Sequence, residues 1–275
     1  MRVFVIGDSF SENLFKKDYL KLYGPEAKDS EIYKYINTLK VNNIESPLWF
    51  TDWLEMWGYE VHNFATAGCS NEDIIYQFAN IDEFKEGDKL IVNLTHISRY
   101  SWYKENGDVR FVHANGGGVD NTRDVSIHQE QVIYRDISYN EGYLKEKFLP
   151  FIDYLMGLHK NYKPILWTPF FDLKGKLKNA NFHWVSGLQE LPNFNINTIN
   201  KESNGIINDG HFGRYGNYMM ANIFDEIIKN DSKNDIDLIK KNVTVRLNNS
   251  DIQFVNPTEW GPINYSKARG TQQLH

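Results

Sequence analysis

Short apolar runs alternate with longer amphipathic segments through most of the chain. Four of these runs predict strands, and the first is nearly all apolar and β-branched, which is typical of a buried parallel strand. The first strand leads directly into Gly7, and the fourth ends at Pro169. The predicted strands cover residues 2–6, 59–65, 90–95 and 163–169.

Segments with apolar positions three and four residues apart follow the strands and predict helices. In the first, "SPLWFTDWLEMWG", Ser46 is the predicted cap, Pro47 suits the first turn and Gly58 ends the helix. The second, "SNEDIIYQFANIDEF", is capped by Ser70 or Asn71. Further helices are predicted over residues 141–161, 184–188 and 214–230.

Two stretches interrupt this alternation, and a third follows it. Residues 17–45 are polar and Lys- and Tyr-rich, and residues 100–140 are loop-rich with one hairpin, so both are predicted insertions. A connection as long as the second is typical of a functional lid or a disordered excursion. Residues 1–230 are therefore predicted to form one domain. Residues 231–275 are predicted to form a charged linker, a β-hairpin over 243–255 and a tail.

The alternation of strands and helices predicts an α/β fold, in which helices cover both faces of a parallel sheet. In such sheets ligands bind beyond the carboxyl ends of the strands. We therefore expect the chemistry of this protein at the turns that follow the first, second and third strands.

Charge and hydropathy limit the partners that the chain would take. It has 30 Lys and Arg against 36 Asp and Glu, a formal net charge of −6, and no basic stripe of the kind that binds nucleic acid. No apolar run reaches the roughly 20 residues of a membrane span, and no leader pattern precedes the first strand. We expect no nucleic-acid or membrane partner and a cytoplasmic location, with association to a virion as the alternative.

The residue types that usually bind metals are sparse. Cys69 is the one cysteine, so the chain forms neither an internal disulfide nor a cysteine metal cluster. His113, His128, His159 and His183 lack the spacing of metal ligands. We predict no metal and no other cofactor.

The stretch "VFVIGDSFSENLF" carries the first candidate for chemistry. Ser9 follows the first strand directly and precedes a segment that can start a helix, which would expose its hydroxyl near a helix N-terminus. A serine in that position becomes a nucleophile only if a base reaches it. The structural alternative is helix capping, for which serine is well suited.

The stretch "DGHFGRYGN" carries the candidate base. His211 lies just before the last long helix, and Asp209 is positioned to orient its imidazole, as the third member of a triad does. Gly68 follows the second strand, and its backbone N–H could join that of Ser9 in an oxyanion hole. The structural alternatives are an Asp-Gly turn with a surface histidine, and a glycine that a tight turn requires.

Arg99 and Trp102 follow the third strand and have two interpretations. As binding groups, the guanidinium would clamp a carboxylate or a sugar acid, and the indole would stack on a sugar ring. As structural groups, Arg99 would pair with a carboxylate of the protein, and Trp102 would pack in a lid.

These motifs resemble blocks I, II and V of the SGNH (GDSL-like) hydrolase family, in the family's order. The matching residues are Gly7-Asp8-Ser9, Asn63 with Gly68-Cys69-Ser70-Asn71, and Asp209-Gly210-His211. The resemblance implies a flavodoxin-like three-layer α/β/α sandwich and a Ser-His-Asp mechanism on esters.

By position, the resemblance makes Ser9 the nucleophile, His211 the general base and then acid, and Asp209 its orienting partner. Gly68 becomes the second oxyanion donor beside Ser9. Asp8 and Asn71, which lie inside the matched blocks, are expected to contribute to substrate binding.

The chain departs from the family pattern in two places. The family has Gly-x-Asn-Asp after the third strand, where this chain has "NLTHISRYSW". The missing oxyanion donor would have to be replaced by Thr95, His96 or Asn93, and losing one such donor typically costs about 2.7–4 kcal/mol of barrier. The family's acid usually lies three residues before the histidine, where Asn208 stands here, rather than two.

The resemblance implies a serine esterase that removes acyl groups, with acetyl favoured, from a carbohydrate or another small-molecule ester. An O-acyltransferase on the same triad is one alternative, in which an acceptor hydroxyl replaces water. A non-catalytic binding or structural module, such as a virion component, is the other, since the third block is missing. The sequence leaves the oligomeric state open.

Overall fold

The computed structural model divides the chain into two compact units. The first comprises Met1–Glu12 and Glu60–Ser186, and the second comprises Asn13–Tyr59 and Gly187–His275. The domain boundary expected after residue 230 stays a prediction. The structure describes residues 1–13, 16, 20–21, 24–29, 33, 37, 49–79, 81, 84–95, 99–103, 109–113, 163–169, 183–185, 212, 214–230, 236–248, 252–254 and 263–265.

The described elements are short strands and four helices. The strands are β1 (Arg2–Ile6), β2 (Glu60–Asn63), β3 (Lys89–Asn93), β4 (Arg99–Tyr103), β5 (Val109–His113), β6 (Ile165–Trp167), β7 (His183–Val185), β8 (Ile252–Phe254) and β9 (Ile263–Tyr265). The helices are α1 (Phe50–Met56), α2 (Asn71–Ala79), α3 (Arg214–Asn230) and α4 (Ile236–Asn248), and a 3-10 helix spans Pro25–Asp29.

The first unit is built on a five-stranded parallel sheet in the order β2-β1-β3-β6-β7. Numbered along the chain, these strands run 2-1-3-4-5, which is the strand order of flavodoxin-like doubly wound sheets. The order reverses between β1 and β3, and sheets of this kind bind ligands at that switch point. The α/β fold with a parallel sheet, predicted from the alternation of strands and helices, is confirmed.

β1 lies inside this sheet because both of its edges are paired. Val5 is level with Asn63 on β2 and with Ile91 on β3. Its residues 3–6 are all buried, which explains why the run is continuously apolar rather than alternating. On one face, Ile74 of α2 and Cys69 join a core cluster with side chains from three strands. Those strand residues are Phe4, Ile6, Leu90, Val92 and Leu166.

The described part of the second unit has α3 at its centre, in contact with both α1 and α4. Phe50 of α1 meets Phe224 of α3 edge-on, with ring centroids 5.1 Å apart. Arg246 of α4 donates hydrogen bonds to Glu226 and Asn222 of α3. The predicted bounds of α3, residues 214–230, are confirmed.

The start of α1 differs from the prediction. The helix begins at Phe50, and the residue before it, Trp49, has an extended backbone. The Asp52 carboxylate accepts the Trp49 N–H at 3.0 Å, so a side chain inside the first turn does the capping that was assigned to Ser46. Ser46 and Pro47 lie outside the described residues. Gly58 ends the helix as predicted, and its N–H donates to Glu55 O.

Two further segments take a different structure from the one predicted. Residues 183–185 form strand β7 beside β6, where a short helix over 184–188 was expected, because Val185 is fully buried at the edge of the sheet. Residues 236–248 form α4, where a linker and the first strand of a hairpin were expected. An antiparallel pair does form further along, between β8 and β9.

Both predicted insertions contain regular structure. The 3-10 helix lies within residues 17–45, and β4 and β5 pair antiparallel within residues 99–113, with Arg99 opposite His113. The predicted helix over 141–161 lies outside the described residues. Of the helices that the structure describes, none has the length and apolarity to cross a membrane.

Candidate functional site at the ends of the first and third strands

Ser9 lies in the first turn after β1, as the sequence predicts. The N–H groups of Ser11 and Glu12 both donate to Asp8 O, at 2.9 and 3.0 Å, so the chain turns into one helical turn at Asp8. Ser9 is buried, with 6% of the residue surface exposed. We name residues 7–12 the Ser9 turn.

Gly7 allows β1 to change direction beside β3. Its φ is +150°, and a Cβ added there would lie 2.5 Å from Asn93 Cβ and 2.9 Å from Asn93 O. Only glycine fits so close to the neighbouring strand. The Gln77 carboxamide holds both backbone groups of Gly7, since Oε1 accepts the N–H at 2.6 Å and Nε2 donates to the carbonyl at 3.0 Å.

Asp8 connects the Ser9 turn to the chain beyond β3. Its carboxylate is fully buried. Oδ1 accepts the Phe10 N–H at 3.0 Å, while Oδ2 accepts the Thr95 hydroxyl at 2.7 Å and Arg99 Nη1 at 2.8 Å. The Arg99 side chain is 11% exposed. The charge of Asp8 is therefore compensated inside the protein, and Arg99 has the carboxylate partner of its structural interpretation.

Asn71 and Thr95 are joined by two hydrogen bonds. Thr95 N–H donates to Asn71 Oδ1 at 2.9 Å, and Asn71 Nδ2 donates to Thr95 O at 3.0 Å. Because the Thr95 hydroxyl donates to Asp8, both donors of Thr95 are engaged within the protein. The structure thus brings four predicted site residues into one network, in which each binds another. They are Asp8, Asn71, Thr95 and Arg99.

Asn93, at the end of β3, is the other described substitute for the family's asparagine. It is fully buried, and its Nδ2 donates to Leu94 O at 3.3 Å. Its Oδ1 has no hydrogen-bond partner within the described part of the chain. Buried polar atoms are usually satisfied, so this oxygen is an exception within the sheet.

Gly68 lies in the turn after β2 with a φ of +79°, a conformation that glycine adopts without strain. This turn is tied to the Ser9 turn at two points. Ala67 N–H donates to the Glu12 carboxylate, and Asn63 Nδ2 donates to Ser11 O at 2.7 Å. The two backbone amides expected to form the oxyanion hole therefore belong to turns that are hydrogen-bonded to each other.

Cys69 lies under the Ser9 turn, and its Sγ donates to Gly7 O at 3.3 Å. Burial raises the pKa of this thiol well above its usual value, and the carboxylates of Asp8 and Asp73 raise it further. Arg99 and the Gln77 amide lower the pKa by less. The thiol is thus held in its neutral form.

The remaining predicted site residues are described in part or not at all. His96, Asp209 and His211 lie outside the described residues, so the triad stays a prediction. Trp102 lies on β4, three residues after Arg99. Within the ranges described, no His, Cys, Asp and Glu side chains cluster in a way that could hold a metal ion.

The sequence reasoning missed two residues that shape this region. Gln77 is buried in α2 and binds Gly7. The sequence pattern that could have indicated it is a polar residue three positions after the buried Ile74, on the apolar side of the helix. Glu12 is also buried and holds Ala67, which is 55 residues away along the chain. No local sequence pattern predicts a contact between residues so far apart along the chain.

No protein-family model matches the chain, and neither a curated protein nor a solved structure matches it.

Proposed function

We propose that the protein is a serine esterase of the SGNH type, with the three-layer α/β/α sandwich of that family. It hydrolyses acyl esters, with acetyl the favoured group, of a carbohydrate or another small molecule. The observation that carries the proposal is the position of Ser9. It lies in the turn after the interior strand β1, at the switch point of a parallel sheet with 2-1-3-4-5 order, where such sheets bind ligands.

In the proposed reaction Ser9 Oγ attacks the ester carbonyl carbon while His211 takes the hydroxyl proton. Asp209 orients the imidazole. His211 then donates the proton to the leaving alkoxide, which departs and leaves an acyl-Ser9 ester. Water, deprotonated by His211, attacks this ester; His211 then returns the proton to Ser9 Oγ, and the carboxylic acid and free Ser9 are released.

The negative charge that develops on the carbonyl oxygen would be stabilised by the Ser9 and Gly68 amides. Their turns are linked by the hydrogen bonds from Ala67 and Asn63, which supports a preformed pair of donors. Both donors of Thr95 are bound elsewhere, so the proposed oxyanion hole uses backbone amides rather than this side chain.

A second function has an observation in its favour. The residue Ser9 is only 6% exposed, and Thr95 forms hydrogen bonds with both Asp8 and Asn71. A non-catalytic binding or structural module that kept the fold would also have its polar groups satisfied in this way. Turnover separates this module from the esterase.

The test is hydrolysis of p-nitrophenyl acetate by the wild type, Ser9→Ala and Ser11→Ala. Ser11 is the matched control, because it is a buried serine of the same turn whose hydroxyl has no hydrogen-bond partner among the described residues. The esterase predicts a loss of kcat/KM on the order of 1,000-fold or more in Ser9→Ala and little change in Ser11→Ala. Equal kcat/KM values for all three folded proteins would contradict the proposal.

Hydrolysis and transfer are distinguished by their products. With an acetyl donor and a sugar acceptor present together, an esterase forms acetate, whereas an acyltransferase forms the acetylated sugar. Either product, if it depends on Ser9, rules out the non-catalytic module.

A further inference from the structure

We infer that Arg99 is a positioning residue for the Ser9 turn, and that it acts through the buried carboxylate of Asp8. The inference rests on the proposed function for its effect on reactivity. Its structural part, that the pair Arg99–Asp8 anchors the turn, concerns only contacts of the described residues.

Asp8 is the anchor of the turn because it precedes Ser9 and binds the three residues that follow Ser9. Its carboxylate accepts the Phe10 N–H, and its backbone carbonyl accepts the N–H groups of Ser11 and Glu12. Ser9 therefore lies between Asp8, which accepts these hydrogen bonds, and the three residues that donate them. A change in the position of Asp8 moves the backbone from which the Ser9 hydroxyl projects.

The charge of Asp8 requires a partner. A fully buried carboxylate that loses its cation is strongly unfavourable, and it either takes up a proton or moves towards water. Arg99 Nη1 supplies the positive charge at 2.8 Å, and the Thr95 hydroxyl binds the same oxygen. Without Arg99, the carboxylate can no longer hold Phe10 and Thr95 in the same way.

Arg99 also links Asp8 to the hairpin β4–β5. It is the first residue of β4, so the hairpin β4–β5 begins at the residue that binds Asp8. The Arg99–Asp8 ion pair therefore connects the Ser9 turn to the hairpin that follows β3. This role uses the guanidinium inside the protein, as in the structural interpretation of Arg99, rather than as a clamp for the substrate.

The chain offers a matched control at the other end of β1. Arg2 forms an ion pair with Asp88, with Nε donating to Oδ1 at 3.1 Å, and Asp88 is also buried. This pair joins β1 to the turn before β3, at the end of β1 opposite the Ser9 turn. Arg2→Ala thus removes a comparable ion pair while leaving Asp8 and its contacts intact.

The experiment measures two quantities in the wild type, Arg99→Ala and Arg2→Ala. The first is the rate at which a fluorophosphonate labels Ser9. The second is hydrogen exchange at the amides of Phe10, Ser11 and Glu12, relative to that of Val5 in β1. Arg99→Ala is expected to slow labelling by about 10- to 100-fold and to speed exchange at these three amides. Arg2→Ala is expected to change neither quantity beyond its effect on global stability.

Rescue separates positioning from simple loss of folding. Guanidinium at a concentration well below the denaturing range is expected to restore labelling of Arg99→Ala in part, and to leave Arg2→Ala unchanged. If Arg99→Ala matches Arg2→Ala in both labelling and exchange, the inference is overturned.

The two proposals fail in different ways. If the folded wild type is not labelled, the esterase proposal fails, and exchange alone decides the anchoring. Faster exchange at Phe10, Ser11 and Glu12 in Arg99→Ala then supports the anchor, and unchanged exchange refutes it.

Discussion

Gly7 is the residue that directly follows strand β1 and begins the Ser9 turn. Its backbone turns at a φ of +150° within contact distance of Asn93 on β3, and Gln77 and Cys69 both bind its carbonyl. Any side chain there would push β1 and β3 apart at the switch point. The conformation of the Ser9 turn thus depends on a residue that has no side chain of its own.

Gly7→Ala is expected to lower the free energy of unfolding by about 3 kcal/mol or more, because an overpacked contact adds to a strained backbone. Gly87→Ala is the control, since Gly87 has a φ of +92° but nothing within 4 Å of an added Cβ. It should cost about 1–2 kcal/mol, from strain alone. Urea unfolding midpoints measure both variants, and equal losses would argue against the close approach at Asn93.

The Cys69 thiol is expected to react slowly in the native protein. Burial, with the nearby charges of Asp8 and Asp73, raises its pKa from 9.0, so little thiolate is present near pH 8. Ellman's reagent should modify the native protein about tenfold or more slowly than the urea-unfolded chain. The chain has no other thiol, so the signal belongs to Cys69. Equal rates would contradict a buried, neutral thiol.

At the scale of elements, β1 is held by an ion pair at each end. Asp8 and Arg99 lie at its carboxyl end, and Arg2 and Asp88 at its amino end. Parallel strands have no hairpin between them to fix their register. These side-chain contacts therefore help to fix β1 beside β3.

Asp88→Asn is expected to lower the free energy of unfolding by about 1–3 kcal/mol at pH 7. Burial alone would raise the pKa of Asp88, but the hydrogen bonds from Arg2 and from Lys85 N–H outweigh it and lower the pKa below 3.8. A lowered folded-state pKa stabilises the fold above the unfolded-state value, and this stabilisation is lost as pH falls through the folded-state value. The difference between wild type and variant should thus shrink below about pH 4. If the difference in the free energy of unfolding between wild type and Asp88→Asn stays constant from pH 7 to pH 3, the lowered pKa of Asp88 is refuted.

Strands β1, β2, β3 and β6 and helix α3 were predictable because their patterns and their tertiary surroundings agree. α4 shows the opposite case. Val243, Val245 and Leu247 alternate with polar residues, which predicts a strand. In the structure Val243 and Ile239, four residues apart, are buried, while Val245 is 53% exposed, so packing against α3 selects the helix. Strand β7 was missed because its three residues, His183–Val185, do not form a continuous apolar run as those of β6 do.

At the scale of the whole molecule, the sequence predicted where the turns of the candidate site lie, but it did not predict the side-chain contacts within that site. The parallel sheet brings the ends of β1, β2 and β3 to one edge, so the turns with Ser9, Gly68 and Thr95 could be placed together from the strand pattern alone. The pairing of Asp8 with Arg99 spans 91 residues, and that of Gly7 with Gln77 spans 70. Contacts of this length follow from the fold and leave no periodic signal.

Covalent labelling of the folded protein by a fluorophosphonate decides whether Ser9 is a nucleophile. Mass spectrometry of digested wild type should find one adduct, on Ser9, which is absent from Ser9→Ala, retained in Ser11→Ala and formed much more slowly in His211→Ala. A folded wild type that carries no adduct, or one whose adduct lies on another residue, would contradict the serine esterase.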